Sequence, residues 1–247
     1  MYQKMPEEAI TDKAISNRMV EYYHERRDAL DEDLDFLPFI KESPNAYLLG
    51  VIYNQGMSAD HTWTIPEKLM GRLGHFDVQV MANTPLEVFE EVFGQSPALH
   101  RYRNTMASHT RRAAQLLVTR YDGNAQNIWN DTPDVGTLYA RLDEFKGMGP
   151  KKINMTIRAL ALFYGVKLED PEKIDLPVDI HVRRVFLRTG IVDEDNAQVM
   201  VVAARSLNPS LPVELDLPAW LIGRRWCHPT DPNCAECPLK GVCDMFP

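Results

Sequence analysis

The sequence predicts an all-α fold, and three of its features support that prediction. Of the 247 residues, 45% are apolar and 25% are charged, which suffices for one large domain or two small ones, each with its own core. Apolar residues recur at the three- and four-residue spacing of amphipathic helices, whereas alternating, strand-like runs are scarce. Hydroxyl residues followed directly by proline punctuate these patterns, as expected where helices begin.

The helical patterns follow one another along most of the chain. Three open with a hydroxyl–proline pair, in which the hydroxyl group can cap the helix and the proline can occupy its first position: Ser43-Pro44, Thr84-Pro85 and Thr132-Pro133. Glu87 follows Thr84 at the spacing of a capping box. The other patterns cover approximately residues 8–30, 65–73, 105–120, 151–164, 181–189 and 197–207.

Composition excludes several classes of protein. The apolar content is typical of a folded chain and not of a disordered, collagen-like or disulfide-scaffold protein. No run approaches 18 apolar residues, so no transmembrane helix is predicted and we expect no membrane partner. The N-terminal residues include early acids and no apolar signal segment, so we expect a cytoplasmic protein.

The charge is unevenly distributed. A net charge of −8 argues against a nucleic-acid partner, because phosphates are bound mainly by lysine and arginine. However, residues 1–45 hold eleven acidic and six basic side chains, which leaves only −3 for the remaining residues. Residues 100–120 and 180–192 form basic runs without acids, which are either local anion-binding surfaces or ordinary solvated helix faces.

All four cysteines lie near the C-terminus, in the spacing C-x6-C-x2-C-x5-C: Cys227, Cys234, Cys237 and Cys243. Prolines and a glycine between them favour a looping chain that could wrap one small centre. From spacing alone, a four-cysteine zinc site and an iron–sulfur cluster are equally good interpretations. Disulfides are the weaker alternative in a reducing compartment.

A turn between two helical patterns contains a candidate nucleophile. The segment Gly147-Met148-Gly149-Pro150 is followed by Lys151 and Lys152 at the start of the next helix. The glycines permit a tight turn, and the free amides of a helix start can bind a phosphate. A lysine at a helix N-terminus is electrostatically disfavoured as a cation, which favours the neutral, nucleophilic amine. The alternative is an ordinary helix–helix turn with both lysines in water.

A carboxylate with apolar neighbours follows 28 residues after Lys151. Asp179, in the segment Val178-Asp179-Ile180-His181, is either a cap for the helix that begins near His181 or a functional acid. Taken alone, His181 is more typical of a structural histidine.

Taken together and in this order, these motifs resemble the endonuclease III branch of the helix-hairpin-helix DNA glycosylases. The match comprises the hairpin before Lys151, the segment around Asp179, the cysteine spacing and, more weakly, the helix and loop from Ser43 to Gln55. It extends from about residue 36 to Cys243. The cysteine spacing is the most specific motif, and the resemblance decides the choice between zinc and iron in favour of a [4Fe–4S] cluster.

The resemblance implies two helical lobes with a DNA-binding cleft between them. A six-helix lobe with the helix-hairpin-helix motif would span residues 36–165, and a discontinuous cluster lobe would combine residues 1–35 and 166–247. Lys151 and Asp179 would be the catalytic residues facing the cleft. The expected DNA contacts are Gln55, Gly147, Gly149, Lys152, Arg103 and His181, with a second DNA wedge near residues 100–103.

The implied activity is base excision repair on double-stranded DNA containing a damaged or mismatched base or an abasic site. The base is flipped out, Lys151 displaces it and forms a Schiff base, and β-elimination cleaves the strand. The expected protein is a monomer associated with the nucleoid. The segment between Lys151 and Asp179 is longer than is usual in the family, and Tyr53 and Asn54 replace small residues before Gln55. The lesion preference is therefore left open, as are a monofunctional glycosylase and a non-catalytic DNA-damage sensor.

Overall fold

The computed structural model describes residues 12–33 and 42–243, which contain helices, turns and loops but no β-strand. This confirms the all-α prediction. In chain order the helices are α1 (Asp12–Asp33), α2 (Pro44–Tyr53), α3 (Ala59–Thr62), α4 (Ile65–Leu73), α5 (Val78–Asn83), α6 (Leu86–Gly94), α7 (Arg103–Tyr121), α8 (Val135–Asp143), α9 (Pro150–Leu162), α10 (Ile180–Arg188), α11 (Ala197–Leu207) and α12 (Asp216–Arg225). Among the described residues, no helix combines the length and apolar character needed to cross a bilayer.

The chain divides into two compact units. The central unit contains the described residues 42–169, and the split unit contains the described residues 12–33 and 170–243. The boundary predicted at residues 35–36 lies outside the described residues. The second boundary falls between Glu169 and Asp170, whereas the sequence analysis placed it at residues 165–166.

Helix α2 lies in the core of the central unit. Every residue from Ala46 to Tyr53 is buried, as expected for a helix that is apolar on all sides. It contacts α4, α7 and α9, while α7 packs along both α5 and α6. The core of the central unit therefore fixes the position of α2 relative to α7 and α9.

The split unit joins the two ends of the described chain around one core. Ile15, Met19 and Tyr22 of α1 pack in a cluster with Val182 and Phe186 of α10, and α11 and α12 complete it. Helix α10 packs mainly against α12. This arrangement fixes α10, the helix that begins directly after Asp179.

Only one of the three hydroxyl–proline pairs caps a helix as predicted. The Ser43 hydroxyl accepts a hydrogen bond from Ala46 N at 3.3 Å, with Pro44 at the first helical position. Thr84 instead ends α5, where its hydroxyl donates to Val80 O.

The third pair, Thr132-Pro133, lies just before the residue that caps the helix. The cap of α8 is Asp134, whose carboxylate accepts from the amide and the hydroxyl of Thr137. Thr132 lies in the preceding turn with φ +54°. The predictions for Thr84 and Thr132 are wrong for different reasons. Asp134 accepts from a free amide in the first turn of α8, whereas α6 begins after Pro85 without a side-chain cap among the described residues.

Candidate active site and nucleic-acid interface

The hairpin between α8 and α9 requires its first glycine. Gly147 has φ +94°, and a Cβ there would lie 2.8 Å from His109 Cδ2 and 3.3 Å from Ile52 Cγ2. Met148 is buried and anchors the turn to the core. Gly149 is the N-cap of α9, and a Cβ on it would meet no other atom within 4 Å, so the space beside its Cα is open. The turn thus combines a close-packed base with an accessible helix start.

The two lysines after the hairpin point in different directions. Lys151 is exposed. Lys152 is half-buried, and its Nζ donates to Ile52 O at 2.7 Å and to Gly147 O at 2.9 Å. Burial lowers the pKa of Lys152 to about 8, and the nearby charge of Lys151 adds to this effect. The inward position of Lys152 differs from the DNA contact predicted for it.

Gln55 lies in an exposed loop directly after α2, which we name the Gln55 loop (residues 54–58). Gln55 N donates to Tyr53 O at 2.7 Å, and the Gln55 side chain is exposed. Gly56 adopts φ +66°, and a Cβ at this position would lie 2.8 Å from the ring of Tyr102. The loop is therefore compact and packed against a second exposed segment.

That second segment, the Tyr102 segment (residues 100–103), precedes α7. His100 is only 1% exposed, and its Nε2 lies 3.1 Å from Tyr53 O while Tyr102 N donates to its Nδ1 at 2.9 Å. These partners define a neutral ring with the proton on Nε2. Burial lowers the pKa of His100, which keeps it neutral.

The Tyr102 segment also presents cations and an aromatic ring. Arg101 donates to Gly56 O at 3.2 Å and lies over the ring of Tyr102, 5.1 Å from its centroid. Tyr102 is 41% exposed, although large aromatic side chains are usually more deeply buried. Arg103, a predicted DNA contact, is exposed at the start of α7.

Asp179 caps α10. Its Oδ1 accepts hydrogen bonds from His181 N at 2.8 Å and Val182 N at 2.9 Å, and the residue is half-buried. Both interpretations of this carboxylate remain compatible with its position, because only one of its oxygens receives these bonds. Lys151 belongs to the central unit and Asp179 to the split unit.

His181 is engaged within the split unit. Its Nδ1 lies 3.0 Å from Arg184 Nη2, and its ring meets Trp220 edge-on. Gly223 of α12 packs directly against it, since a Cβ there would approach His181 Cβ to 2.7 Å. These contacts match the structural role that the isolated sequence suggested, and DNA contact by His181 stays a prediction.

The basic run at 180–192 has protein partners. Arg183 pairs with Asp195. Arg184 donates to Cys227 O and Gly223 O, and Arg188 donates to the carbonyl oxygens of His228 and Pro229. The interpretation of this run as an open anion-binding surface is therefore not supported. Arg184 and Arg188 instead fasten the start of the cysteine loop to α10.

Some arginines of the basic run at 100–120 also bind protein oxygens, but others are exposed. Arg111 donates to Thr84 O at 3.1 Å, and Arg120 pairs with Glu144 at 2.6 Å. Arg103 and Arg112 are exposed. The cations of this run that face water lie in and near the first half of α7.

All four cysteine side chains line one pocket, together with residues of α10 and α12. Burial raises the pKa of the Cys237 thiol to about 11, and the other three cysteines raise it further through charge repulsion. Four thiols that repel one another as thiolates suit a cationic metal centre, which would relieve that repulsion. Among the described residues, no three His, Cys, Asp or Glu side chains converge on a single metal-ion position.

Sequence reasoning missed two residues of this region. The sequence predicts Lys152 only as a DNA contact and His100 only as part of the wedge near residues 100–103. No spacing rule could have found either, because their partners are backbone carbonyls far away in sequence, such as Ile52 and Tyr53.

Comparison with known proteins identifies the family. The model of the HhH-GPD superfamily of base excision DNA repair proteins matches residues 49–209. A search of curated proteins finds no significant match. Among solved structures, a trapped endonuclease III–DNA covalent intermediate is similar with a TM-score of 0.66 and 18% identity, covering 95% of this chain and 96% of that chain.

Two further structures are similar to the same extent. A non-covalent endonuclease III–DNA complex gives a TM-score of 0.66 at 18% identity, and a thermostable thymine-DNA glycosylase gives 0.65 at 16% identity. Each covers 95% of this chain and 96% of its own. The predicted endonuclease III-like fold is therefore confirmed, and the chain belongs to the HhH-GPD superfamily of base excision DNA repair proteins.

Proposed function

We propose that the protein is a DNA glycosylase with AP lyase activity that acts on double-stranded DNA containing a damaged or mismatched base or an abasic site. The observation that carries the proposal is the position of Lys151, which is exposed in the first turn of α9 directly after the Gly147–Gly149 turn. A primary amine at that place is what Schiff-base chemistry requires. The family match supports the wider assignment to base excision repair.

DNA would be held by three segments of the central unit. The open space beside the Gly149 Cα and the first amides of α9 suit a backbone phosphate. Gln55 would fill the space left by a flipped base, since its side chain is exposed beyond α2. Arg101 and Tyr102 suit the wedge on the opposite strand, because a stacked cation and an exposed ring can insert between bases.

The reaction would proceed through an amine adduct. Neutral Lys151 Nζ attacks the sugar C1′, the N-glycosidic bond breaks, and the base leaves with the bonding electrons and takes up a proton. Loss of a proton from nitrogen and opening of the sugar give the C1′ Schiff base. Removal of a 2′-proton then expels the 3′-phosphate by β-elimination, and water releases the lysine.

Asp179 would contribute the carboxylate of this reaction. Its Oδ1 is occupied by the helix cap, and we assign Oδ2 to the substrate. A carboxylate there can take the proton from the attacking amine or stabilise positive charge on the sugar. The pairing of Asp179 with Lys151 as catalytic residues is carried over from the family resemblance.

We propose a [4Fe–4S] cluster bound by the four cysteines that line the pocket beside α10. Such a centre would supply folding free energy by closing the C-terminal loop, whose start Arg184 and Arg188 already hold. Purified protein should be brown and contain iron and acid-labile sulfide in equal amounts. A colourless protein that contains zinc would contradict the cofactor.

Borohydride trapping tests the function. The protein is incubated with duplexes carrying an abasic site, an oxidised pyrimidine, uracil, an alkylated base or a mismatch, and the imine is reduced to a stable adduct. We expect adduct formation and strand cleavage, with the DNA attached to Lys151 by tandem mass spectrometry. Lys151→Ala should abolish the adduct, while the exposed Lys167→Ala serves as a control from the same unit.

Other outcomes would overturn parts of the proposal. Base release without an adduct or nicking would identify a monofunctional enzyme, an alternative favoured by the similarity to a thymine-DNA glycosylase. Tight lesion binding without turnover on any substrate would identify a damage sensor. An adduct on Lys152 would reassign the nucleophile.

We also propose that the protein is a monomer in the cytoplasm, associated with the nucleoid. Light scattering at micromolar concentration should give the mass of one chain, and fractionation should recover the protein with chromosomal DNA. A dimer, or recovery with membranes, would contradict this.

A further inference from the structure

Two consecutive carbonyl groups at the C-terminal end of α2 are bound by side chains from elsewhere in the central unit. Ile52 O accepts from Lys152 Nζ at 2.7 Å, and Tyr53 O accepts from His100 Nε2 at 3.1 Å. The last carbonyls of a helix have no partner within it, so they are natural attachment points. We name these four residues the α2 junction.

Each donor also holds a second segment. Lys152 Nζ donates to Gly147 O at 2.9 Å, which ties the hairpin to α2. His100 Nδ1 accepts from Tyr102 N at 2.9 Å, which ties the Tyr102 segment to the same helix end. The Gln55 loop continues from that helix end. Three loops that are distant in sequence are therefore fixed to one another at the last two residues of α2.

Both side chains that donate in the α2 junction are removed from water to a large extent. His100 is 1% exposed, and Lys152 is half-buried although it is a cation. Among the described residues, the titratable groups whose charges interact with Lys152 are Lys151, His100 and His109, and no carboxylate shifts its pKa. Within the described residues, the ammonium group is therefore held by two backbone oxygens and not by an ion pair, and one of these oxygens, Ile52 O, lies at the negative end of the α2 dipole.

We propose that Lys152 and His100 are positioning residues that hold the hairpin, the Gln55 loop and the Tyr102 segment as one rigid DNA-facing platform. The DNA-facing part of this inference rests on the proposed function. A platform matters there because the hairpin carries Lys151, while the Gln55 loop and the Tyr102 segment would keep the base flipped. Small displacements between these segments reduce the rate of a reaction that depends on alignment.

Hydrogen exchange on the free protein tests the platform without DNA. Lys152→Met keeps the length of the side chain but removes its donors, and His100→Leu removes both ring nitrogens. We expect Lys152→Met to speed amide exchange about 10-fold in residues 53–58 and 145–149, because the local opening becomes easier. His100→Leu should do the same in residues 53–58 and 100–104.

Two further variants serve as controls in the hydrogen-exchange experiment. Lys152→Arg retains donors and should restore slow exchange in both segments. Lys167→Met removes an exposed lysine from the same unit and should leave exchange unchanged. If Lys152→Met does not fold, Lys152→Gln takes its place, since its amide can reach one carbonyl and should give an intermediate acceleration.

Single-turnover kinetics on the best substrate test the consequence. Lys152→Met and His100→Leu should each lower the rate of base release about 10-fold with DNA affinity within about 3-fold of the original, since alignment and not binding is lost. The double variant should lose little more than the worse single variant, because both act on one platform. If the original protein showed no activity on any substrate, the proposed function would be refuted. The hydrogen-exchange rates would still test whether the α2 junction holds the three segments together.

Three results would overturn the inference. Unchanged exchange in residues 53–58 in both variants would show that the bonds do not hold the loop. Equal acceleration throughout α5, α6 and α7 would show a general core role. Rate losses that multiply in the double variant would show that the two residues act independently.

Discussion

Asp179 illustrates how one carboxylate can serve the fold and the chemistry at the same time. The cap uses Oδ1 alone, and asparagine caps helices about as well as aspartate. Asp179→Asn should therefore change the free energy of unfolding by less than about 0.5 kcal/mol. It should lower base release by roughly 10²–10⁴-fold, the usual contribution of a general acid–base group.

The measurement compares urea unfolding, DNA affinity and single-turnover base release for Asp179→Asn and Asp179→Ala. The alanine variant should lose about 1 kcal/mol of stability as well, because its cap is gone. If Asp179→Asn lost affinity and base release equally, Asp179 would be a structural cap only.

The buried, neutral ring of His100 leads us to expect that the protein loses stability in mild acid. Burial lowers its pKa in the folded protein below the value of about 6.5 in the unfolded chain. The folded state therefore binds fewer protons, so the contribution of the neutral ring is fully present above pH 6.5 and is lost as the pH falls below it. The pKa of His109 is also lowered, mainly by burial, and adds in the same direction.

Urea unfolding between pH 7.5 and pH 5 measures this effect. Each histidine should contribute a slope of at most about 1.4 kcal/mol per pH unit below pH 6.5. The slope should decrease in His100→Leu relative to the original protein. An identical slope in both proteins would show that other groups cause the acid sensitivity.

For individual residues, the sequence predicts which residues belong to the site better than it predicts where their side chains point. The motif identified Lys151 and Lys152 correctly as a pair at a helix start, but their surroundings could not be read from spacing. The structure turns Lys152 towards two carbonyls that lie 100 and 5 residues away in sequence. A partner 100 residues away leaves no local pattern in the sequence.

Among the elements, the hairpin offers a matched pair of glycines. Gly147→Ala places a Cβ at φ +94° and 2.8 Å from His109, so we expect a loss of about 1–3 kcal/mol in the free energy of unfolding. Gly149→Ala meets no atom within 4 Å at an ordinary φ of −117°, and as an N-cap change it should cost less than about 1 kcal/mol.

Chemical denaturation of both variants checks the difference. Equal losses would mean that the strain at Gly147 is relieved by movement of the hairpin. In that case the close packing against His109 would not constrain the turn.

Helix positions were predictable where periodicity was strong, and helix starts were less so. The patterns at residues 65–73 and 197–207 match α4 and α11 residue for residue. The failures at Thr84 and Thr132 have different causes, since Asp134 replaces Thr132 as the cap of α8, whereas Thr84 ends the preceding helix α5 and α6 begins after Pro85. A capping signal states that a helix begins close by, but tertiary packing selects which amides are satisfied.

For the whole molecule, the distribution of charge predicts weak and salt-sensitive binding to undamaged DNA. The basic run on α10 is engaged with protein oxygens. Among the exposed cations of the central unit, we assign four to phosphates: Arg101, Arg103, Arg112 and Lys146. About four phosphate contacts correspond to a slope near −4 in a plot of log K against log salt concentration.

Fluorescence anisotropy with an undamaged duplex at about 50–200 mM salt, a range over which such slopes are measured, provides the test. Tight binding that resists salt would show that more cations reach DNA than we infer. Lys146→Met should reduce the slope by about one.

The overall architecture was largely predictable, because the order of helices, the hairpin and the cysteine spacing together resemble one family. The internal engagement of Arg184 and Arg188 was not, because a basic run has the same sequence whether it meets water, DNA or its own backbone. Counting charges therefore overestimated the basic surface on α10.

The split unit has a consequence for the order in which the chain can fold during synthesis. Helix α1 presents Ile15, Met19 and Tyr22 to a core whose other members include Ala219 and Ile222 of α12. At common translation rates, α1 must wait roughly 10–40 s for those partners to leave the ribosome, while the central unit is completed in between. A nascent chain would therefore carry a helix with an uncovered apolar face for that interval, which is when we expect chaperones to bind it.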